Sequence, residues 1–129
     1  MRLLLDTHVL IWSVRERRRV PESHAILLND EDNIPVFSVV SLWEIAIKHG
    51  RGHPDFYFDP CVVRPGLLAH GYEELPITGP QVVAVANLPS IHRDPFDRLL
   101  VAQAQIEGIT LLTADETVAE YPGPIELAV

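Results

Sequence analysis

The chain has 129 residues, 47% of them apolar, which suits one folded domain with a sizeable core and excludes an intrinsically disordered chain. Its single cysteine, Cys61, excludes an internal disulfide and a thiolate-built zinc cluster. A formal net charge of −8 speaks against a nucleic-acid partner, unless the acids are concentrated where a cation neutralises them. No apolar run approaches the length of a membrane span and no export signal opens the chain, so it is expected to be soluble and cytoplasmic.

Arg2 to Leu5 is a short apolar run ending at Asp6 and reads as a buried strand. Thr7 to Val14 follows as a first helix. A basic segment with Arg15, Arg17, Arg18 and Arg19 leads to Pro21, which opens a second helix through Leu28. Asn29 to Asn33 is a polar turn, and Ile34 to Phe37 a second strand. Ser38 or Ser41 caps a helix to about His49, stopped by Gly50 and Gly52. Residues 51 to 60 read as a loop. Cys61 to His70 is a helix that Pro65 must begin or kink, and Leu75 to Ile77 is a third strand. Pro80 sits in the first turn of a helix ending near Leu88. The clearest helix runs from Pro95 to Glu107 and is closed by Gly108. Ile109 to Leu112 is a strand, Ala114 to Glu120 a brief helix, and Ile125 to Leu127 a last strand. Strands alternating with helices imply one α/β domain over residues 1–129, with a mainly parallel sheet covered on both faces.

In such sheets, sites form at the carboxyl ends of the strands. Asp6 ends the first strand, Asp115 lies just beyond Ile109 to Leu112, and Asp97 sits in the first turn of the 95–107 helix. Glu44 projects from a helix amid Leu42, Trp43, Ile45 and Ala46. Each has a purely structural explanation. Asp6 can cap the first helix, Asp94-Pro95-x-Asp97 is a helix start, and Ser41/Glu44 and Thr113/Glu116 have capping-box spacing. Their conjunction points further. A carboxylate in an apolar helix is costly to desolvate, and carboxylates crowded at one sheet edge repel. A hard divalent cation offsets both costs, and Mg²⁺ suits carboxylate and water ligands.

The segments LLLDTHVLIW, SLWEIAIK, HRDPFDRLLVAQA and LLTAD resemble the four acidic motifs of PIN-domain nucleases, and among these the bacterial VapC-type toxins. The resemblance covers nearly the whole chain in the family's order. It implies a PIN-like fold, with Mg²⁺ or Mn²⁺ in a pocket formed by Asp6, Glu44, Asp97 and Asp115. It also implies endonucleolytic cleavage of RNA, inhibition by a small antitoxin protein, and a homodimer. Asp94 is an extra acid that joins the site or only caps the helix. Thr7 and Thr113 are hydroxyl neighbours that orient the carboxylates or bound water. Arg15 to Arg19, Arg51, Arg93 and Arg98 are candidate phosphate contacts, set against a reading as solvated charge.

The six histidines show no zinc spacing, though His8 and His92 stand close to the acids in sequence. Cys61 reads as a small core residue, and Trp12 and Trp43 as core or dimer contacts. Two rival functions remain. One is a phosphohydrolase with Asp6 as nucleophile, although His8 stands where a second acid is expected. The other is a catalytically silent PIN-like interaction module.

Overall fold

Three consecutive leucines need burial on both faces, which only a central strand of a covered sheet provides. Arg2–Leu5 is that strand, β1. A computed structural model describes residues 1–128; residue 129, the last of the expected domain, lies outside the described residues. The sheet comprises β1, β2 (Ile34–Ser38), β3 (Glu73–Leu75), β4 (Thr110–Thr113) and β5 (Ile125–Leu127), in the order β3-β2-β1-β4-β5. All its pairings are parallel.

Register sets Leu4 of β1 opposite Val36 on one side and Leu111 on the other. Those three face one layer of core, whereas Leu3, Leu5, Phe37 and Leu112 face the other. The helices are α1 (Thr7–Arg15), α2 (Glu22–Asn29), α3 (Val39–Gly50), α4 (Pro60–Ala69), α5 (Gly79–Ala84) and α6 (Pro95–Glu107). Leu99, Leu100 and Val101 of α6 and Val40 of α3 cover the first face. Val9 and Leu10 of α1, Ile45 of α3, and Val63 and Leu67 of α4 cover the second. Fully burying each such side chain stabilises by about 1.5–3 kcal/mol. Gly108, in left-handed conformation at φ 64°, ends α6 and turns the chain into β4.

Buried polar groups join the layers. Ser38 Oγ donates to Gln103 Oε1 (2.6 Å), and Gln103 Nε2 donates to Gln81 Oε1 (3.0 Å), tying the end of β2 to α6 and α5.

Four expectations need correction. The third strand is Glu73–Leu75, not Leu75 to Ile77. Pro76 has no N–H for the ladder, and the side chains of Glu73 and Glu74 pair with Arg2 and Arg64 at the open edge. The helix from Pro80 ends at Ala84 and tightens into a 3₁₀ turn over Val85–Asn87. Only Val118–Glu120 of the expected 114–120 helix is wound, as a 3₁₀ turn. There Asp115 Oδ1 accepts the Thr117 N–H (2.8 Å), a local bond that competes with helix. Cys61 is exposed in the first turn of α4, not in the core. Among the described residues no helix is long and apolar enough to cross a membrane.

Candidate active site

β1 has β2 on one side and β4 on the other, so the chain leaving β1 and the chain leaving β4 diverge. Crevices at the carboxyl end of such a switch point are where α/β sheets bind ligands. A cleft of about 460 Å³ lies there, lined by Asp6, Glu44, Asp94, Asp97 and Asp115 together with Thr7, His8, Trp12, Arg19, Lys48, Asp55, His92 and Ala114.

Asp6 is buried and does two jobs. Its Oδ1 accepts the Val9 N–H (2.9 Å) as the N-cap of α1, and its Oδ2 accepts the Thr113 hydroxyl (2.5 Å). Burial raises the pKa of its carboxyl, against the lowering effect of those two bonds. Thr113 Oγ1 also accepts the Asp115 N–H (3.0 Å), so one hydroxyl aligns two acids. Thr7, by contrast, donates to Ser41 Oγ (3.0 Å) and thereby ties α1 to α3.

Glu44 is 2% exposed. Its Oε2 accepts from Lys48, one turn along α3, while its Oε1 is buried with no partner among the described residues. The capping-box reading of Ser41 and Glu44 does not hold, because Ser38 caps α3 by accepting the Val40 N–H (3.0 Å). Asp94 does cap α6: its Oδ1 accepts the N–H of Phe96 (2.8 Å) and of Asp97 (3.2 Å). Its carboxylate nevertheless lines the cleft.

Asp97 carries the largest perturbation. Burial, then the charges of Asp94, Asp6, Glu44 and Asp115, push its carboxyl up to about 8. Asp115, nearer solvent, is held below the usual carboxylate range. Burial pushes it up, but bonds from the Thr117 N–H and His92 outweigh that.

His92 Nε2 lies 3.3 Å from Asp97 Oδ2 and 3.2 Å from Asp115 Oδ2. Its Nδ1 accepts the Asp94 N–H (3.0 Å), which leaves the proton of a neutral ring on Nε2. His92 is therefore a donor spanning two acids. A ligand atom from each of the three lies within 4.8 Å of the others.

The donor chemistry fits a hard divalent cation. Carboxylate oxygens suit Mg²⁺ or Mn²⁺, the orphaned Glu44 Oε1 needs a partner, and a counter-charge would offset the burial and acid–acid repulsion that lift Asp97. His92, with Nε2 protonated, fits as a donor beside the ion better than as its ligand.

A family model described as PIN domain matches residues 3–124. The chain belongs to the PIN-domain family. Among solved structures it is similar to VapBC2 from Rickettsia felis bound to a promoter DNA fragment, with a TM-score of 0.73 at 14% identity over 100% of both chains. DNA-bound VapBC from Salmonella typhimurium gives 0.68 at 18% identity, over 98% of this chain and 97% of that one. VapBC-1 from nontypeable Haemophilus influenzae gives 0.66 at 16%, over 98% of each. No curated protein sequence matches.

In this PIN domain the four motif acids and Asp94 line one cleft. Arg98, a candidate phosphate contact, has its guanidinium engaged within the fold. Its guanidinium donates to the carbonyls of Val85 (3.1 Å) and Pro89 (3.0 Å) and to Tyr121 Oη (3.1 Å), bracing the loop that carries His92. Trp12 is half-buried, packing against the core as expected while also lining the cleft. Trp43 is 53% exposed against Phe96. Sequence reasoning missed Lys48, although its position four residues after Glu44 was the available signal. For the bridging place of His92 there was no signal beyond nearness to Asp94.

Proposed function

We propose that this PIN domain, spanning 1–129, is a Mg²⁺- or Mn²⁺-dependent endoribonuclease and the toxin of a toxin–antitoxin pair. The observation that carries the reading is the burial of Glu44 Oε1 without a partner among the described residues in the same cleft as Asp97, whose carboxyl is pushed up to about 8 by burial and by the charges of its neighbours. Such a set is costly to maintain as a mere helix cap and suited to holding a cation.

Asp6, Glu44, Asp97 and Asp115 would hold the ion. When bound, it supplies an activated water and neutralises charge developing on a phosphodiester. The chain's own groups do the rest. Thr113 fixes the rotamer of Asp6 and the backbone of Asp115. Lys48 partly neutralises Glu44. His92, turned by the Asp94 N–H, offers Nε2–H at the mouth of the acids, where a phosphate oxygen or leaving group can accept it. Both oxygens of Asp6 are already engaged, which favours a ligand role over that of an attacking nucleophile.

The partner reading has its own support. An apolar groove of about 190 Å³ between α1 and α4, walled by Val14, Val62, Val63 and Leu67, suits an apolar segment of an antitoxin. The similar structures from Rickettsia felis and Salmonella typhimurium are VapBC assemblies by name. Exposed Val82 and Val83 on α5 and Ile106 on α6 support a homodimer, and RNA cutting implies a cytoplasmic location.

Incubating the purified protein with an RNA pool and Mg²⁺ or Mn²⁺ tests the proposal. Cleavage is expected, and Asp6→Asn should abolish it while the fold persists. Full activity in Asp6→Asn refutes the assignment of the site, and an intact RNA pool with wild-type protein refutes the enzyme.

A further inference from the structure

Beside the acidic cleft lies a recess of about 90 Å³, walled by Trp12, Arg19, Pro54 and Tyr57. That is several times what one water molecule needs. His8, Trp12, Arg19 and Asp55 line both openings, so recess and cleft are continuous. We propose that this recess holds a nucleobase of a single-stranded nucleic acid, one that flanks the phosphodiester lying at the acids. The proposal rests on the nuclease reading and names where that substrate is gripped.

Single strands are held by cations on phosphates and by aromatic faces under bases. Within a chain of net charge −8, the cations lining the cleft are Lys48 and Arg19. Lys48 is committed to Glu44. Arg19 is held only loosely: its guanidinium lies 5.0 Å from the Trp12 ring centroid, and its ion pair with Glu16 is long (3.7 Å) and exposed. Such a pair is worth little, so Arg19 can turn to a phosphate at small cost.

The aromatic walls are presented, not hidden. Trp12 follows His8 by one helical turn, with ring centroids 6.0 Å apart. Part of its side chain packs against the core, and the rest lines both recess and cleft. Tyr57 is 66% exposed, yet its ring is pinned by edge contact with Phe58 at 5.6 Å. Stacking on a ring already held in place loses little further conformational freedom. The apolar groove between α1 and α4 also has a cation over a ring, Arg15 on Phe58, but shares no lining residue with the acidic cleft. A peptide segment therefore fits that groove, and a base fits this recess.

The test uses the full chain with Asp6→Asn, so that RNA stays intact, and fluorescence anisotropy in Mg²⁺. The probes are a labelled mixed-sequence single-stranded RNA 12-mer and the same strand without bases. Trp12→Ala and Tyr57→Ala should each weaken binding of the complete strand by about 5- to 150-fold, the factor of one base–aromatic stack. Neither should alter binding of the strand without bases. Trp12→Phe should retain most of the affinity. Arg19→Ala should weaken both probes and lower the salt dependence by about one phosphate contact.

Unchanged affinity in folded Trp12→Ala, or in Tyr57→Ala should Trp12→Ala misfold, overturns the proposal. Equal loss on both probes also overturns it, because the recess then grips backbone and not base. Failure of the nuclease reading looks different. Wild-type protein would leave RNA uncut while the Trp12 and Tyr57 effects on binding persist.

Discussion

Replacing Asp97 with Asn should stabilise the metal-free protein and disable the metal-loaded one. Asp97 has its carboxyl raised from 3.8 to about 8 by burial and by the acids around it. A folded-state pKa raised above the unfolded value means that the folded chain binds the proton more tightly. The stability linked to this proton is fully present below pH 3.8 and is lost as pH rises toward 8. At about 1.36 kcal/mol per pH unit, holding Asp97 in the cleft at pH 7 costs on the order of 4 kcal/mol relative to the unfolded chain. Solvent in the open cleft reduces that to about 1–3 kcal/mol. Asparagine keeps the shape and removes the titration. Thermal melts in EDTA at pH 5, 7 and 9 should show Asp97→Asn melting higher by about 4–12 °C at pH 9, with the gain shrinking toward pH 5. Saturating Mn²⁺ should invert the order, because the ion binds the wild-type fold and stabilises it by mass action. A variant that loses stability in EDTA at pH 9, or gains equally at every pH, refutes the electrostatic account.

Thr113→Val removes the donor to Asp6 and the acceptor of the Asp115 N–H. Mn²⁺ affinity by titration calorimetry should fall about 10- to 100-fold, as for other groups that orient metal ligands, and the loss of two bonds at buried groups should cost about 1–3 kcal/mol of stability in EDTA. Lys48→Met strips the partner from buried Glu44 and should cost about 3–5 kcal/mol in urea unfolding without metal, recovered in part by Mn²⁺. His24 is buried with Nδ1 lacking a partner among the described residues, and burial lowers its pKa below 6.5. Its depressed value makes stability present above pH 6.5 and lost as pH falls through the folded value. His24→Leu should flatten the pH dependence of the urea midpoint between pH 7 and pH 5, and an unchanged slope counts against this assignment.

Much of the fold was legible in the sequence because local rules and global burial agree there. β1 and β5, and α6 from Pro95 to Glu107, fall where apolar pattern, proline and glycine place them. Disagreement marks places where a distant partner, or a competing bond to the local backbone, decides. Glu73 and Glu74 form a strand because β2 offers an edge and arginines lie nearby. Apolar Leu75 to Ile77 fails to continue it at Pro76. The 114–120 segment stays mostly unwound because Asp115 bonds its own backbone locally.

The sequence by itself offered the set of acids and their order, through carboxylates at strand ends and in an apolar helix and through their resemblance to the PIN motifs. Only the tertiary structure decided what each acid experiences. Parallel register brings β1 and β4 side by side, so that Thr113, 107 positions from Asp6, donates to it. Packing of α3 and α6 against the sheet leaves Glu44 half-paired and drives Asp97 toward neutrality. The arginines divided the same way. Nothing local distinguishes Arg98, bound to carbonyls, from Arg19, poised over Trp12 at the cleft. A side chain's charge is written in the chain, but its partners, solvent and neighbours' charges are set by distances that only folding fixes.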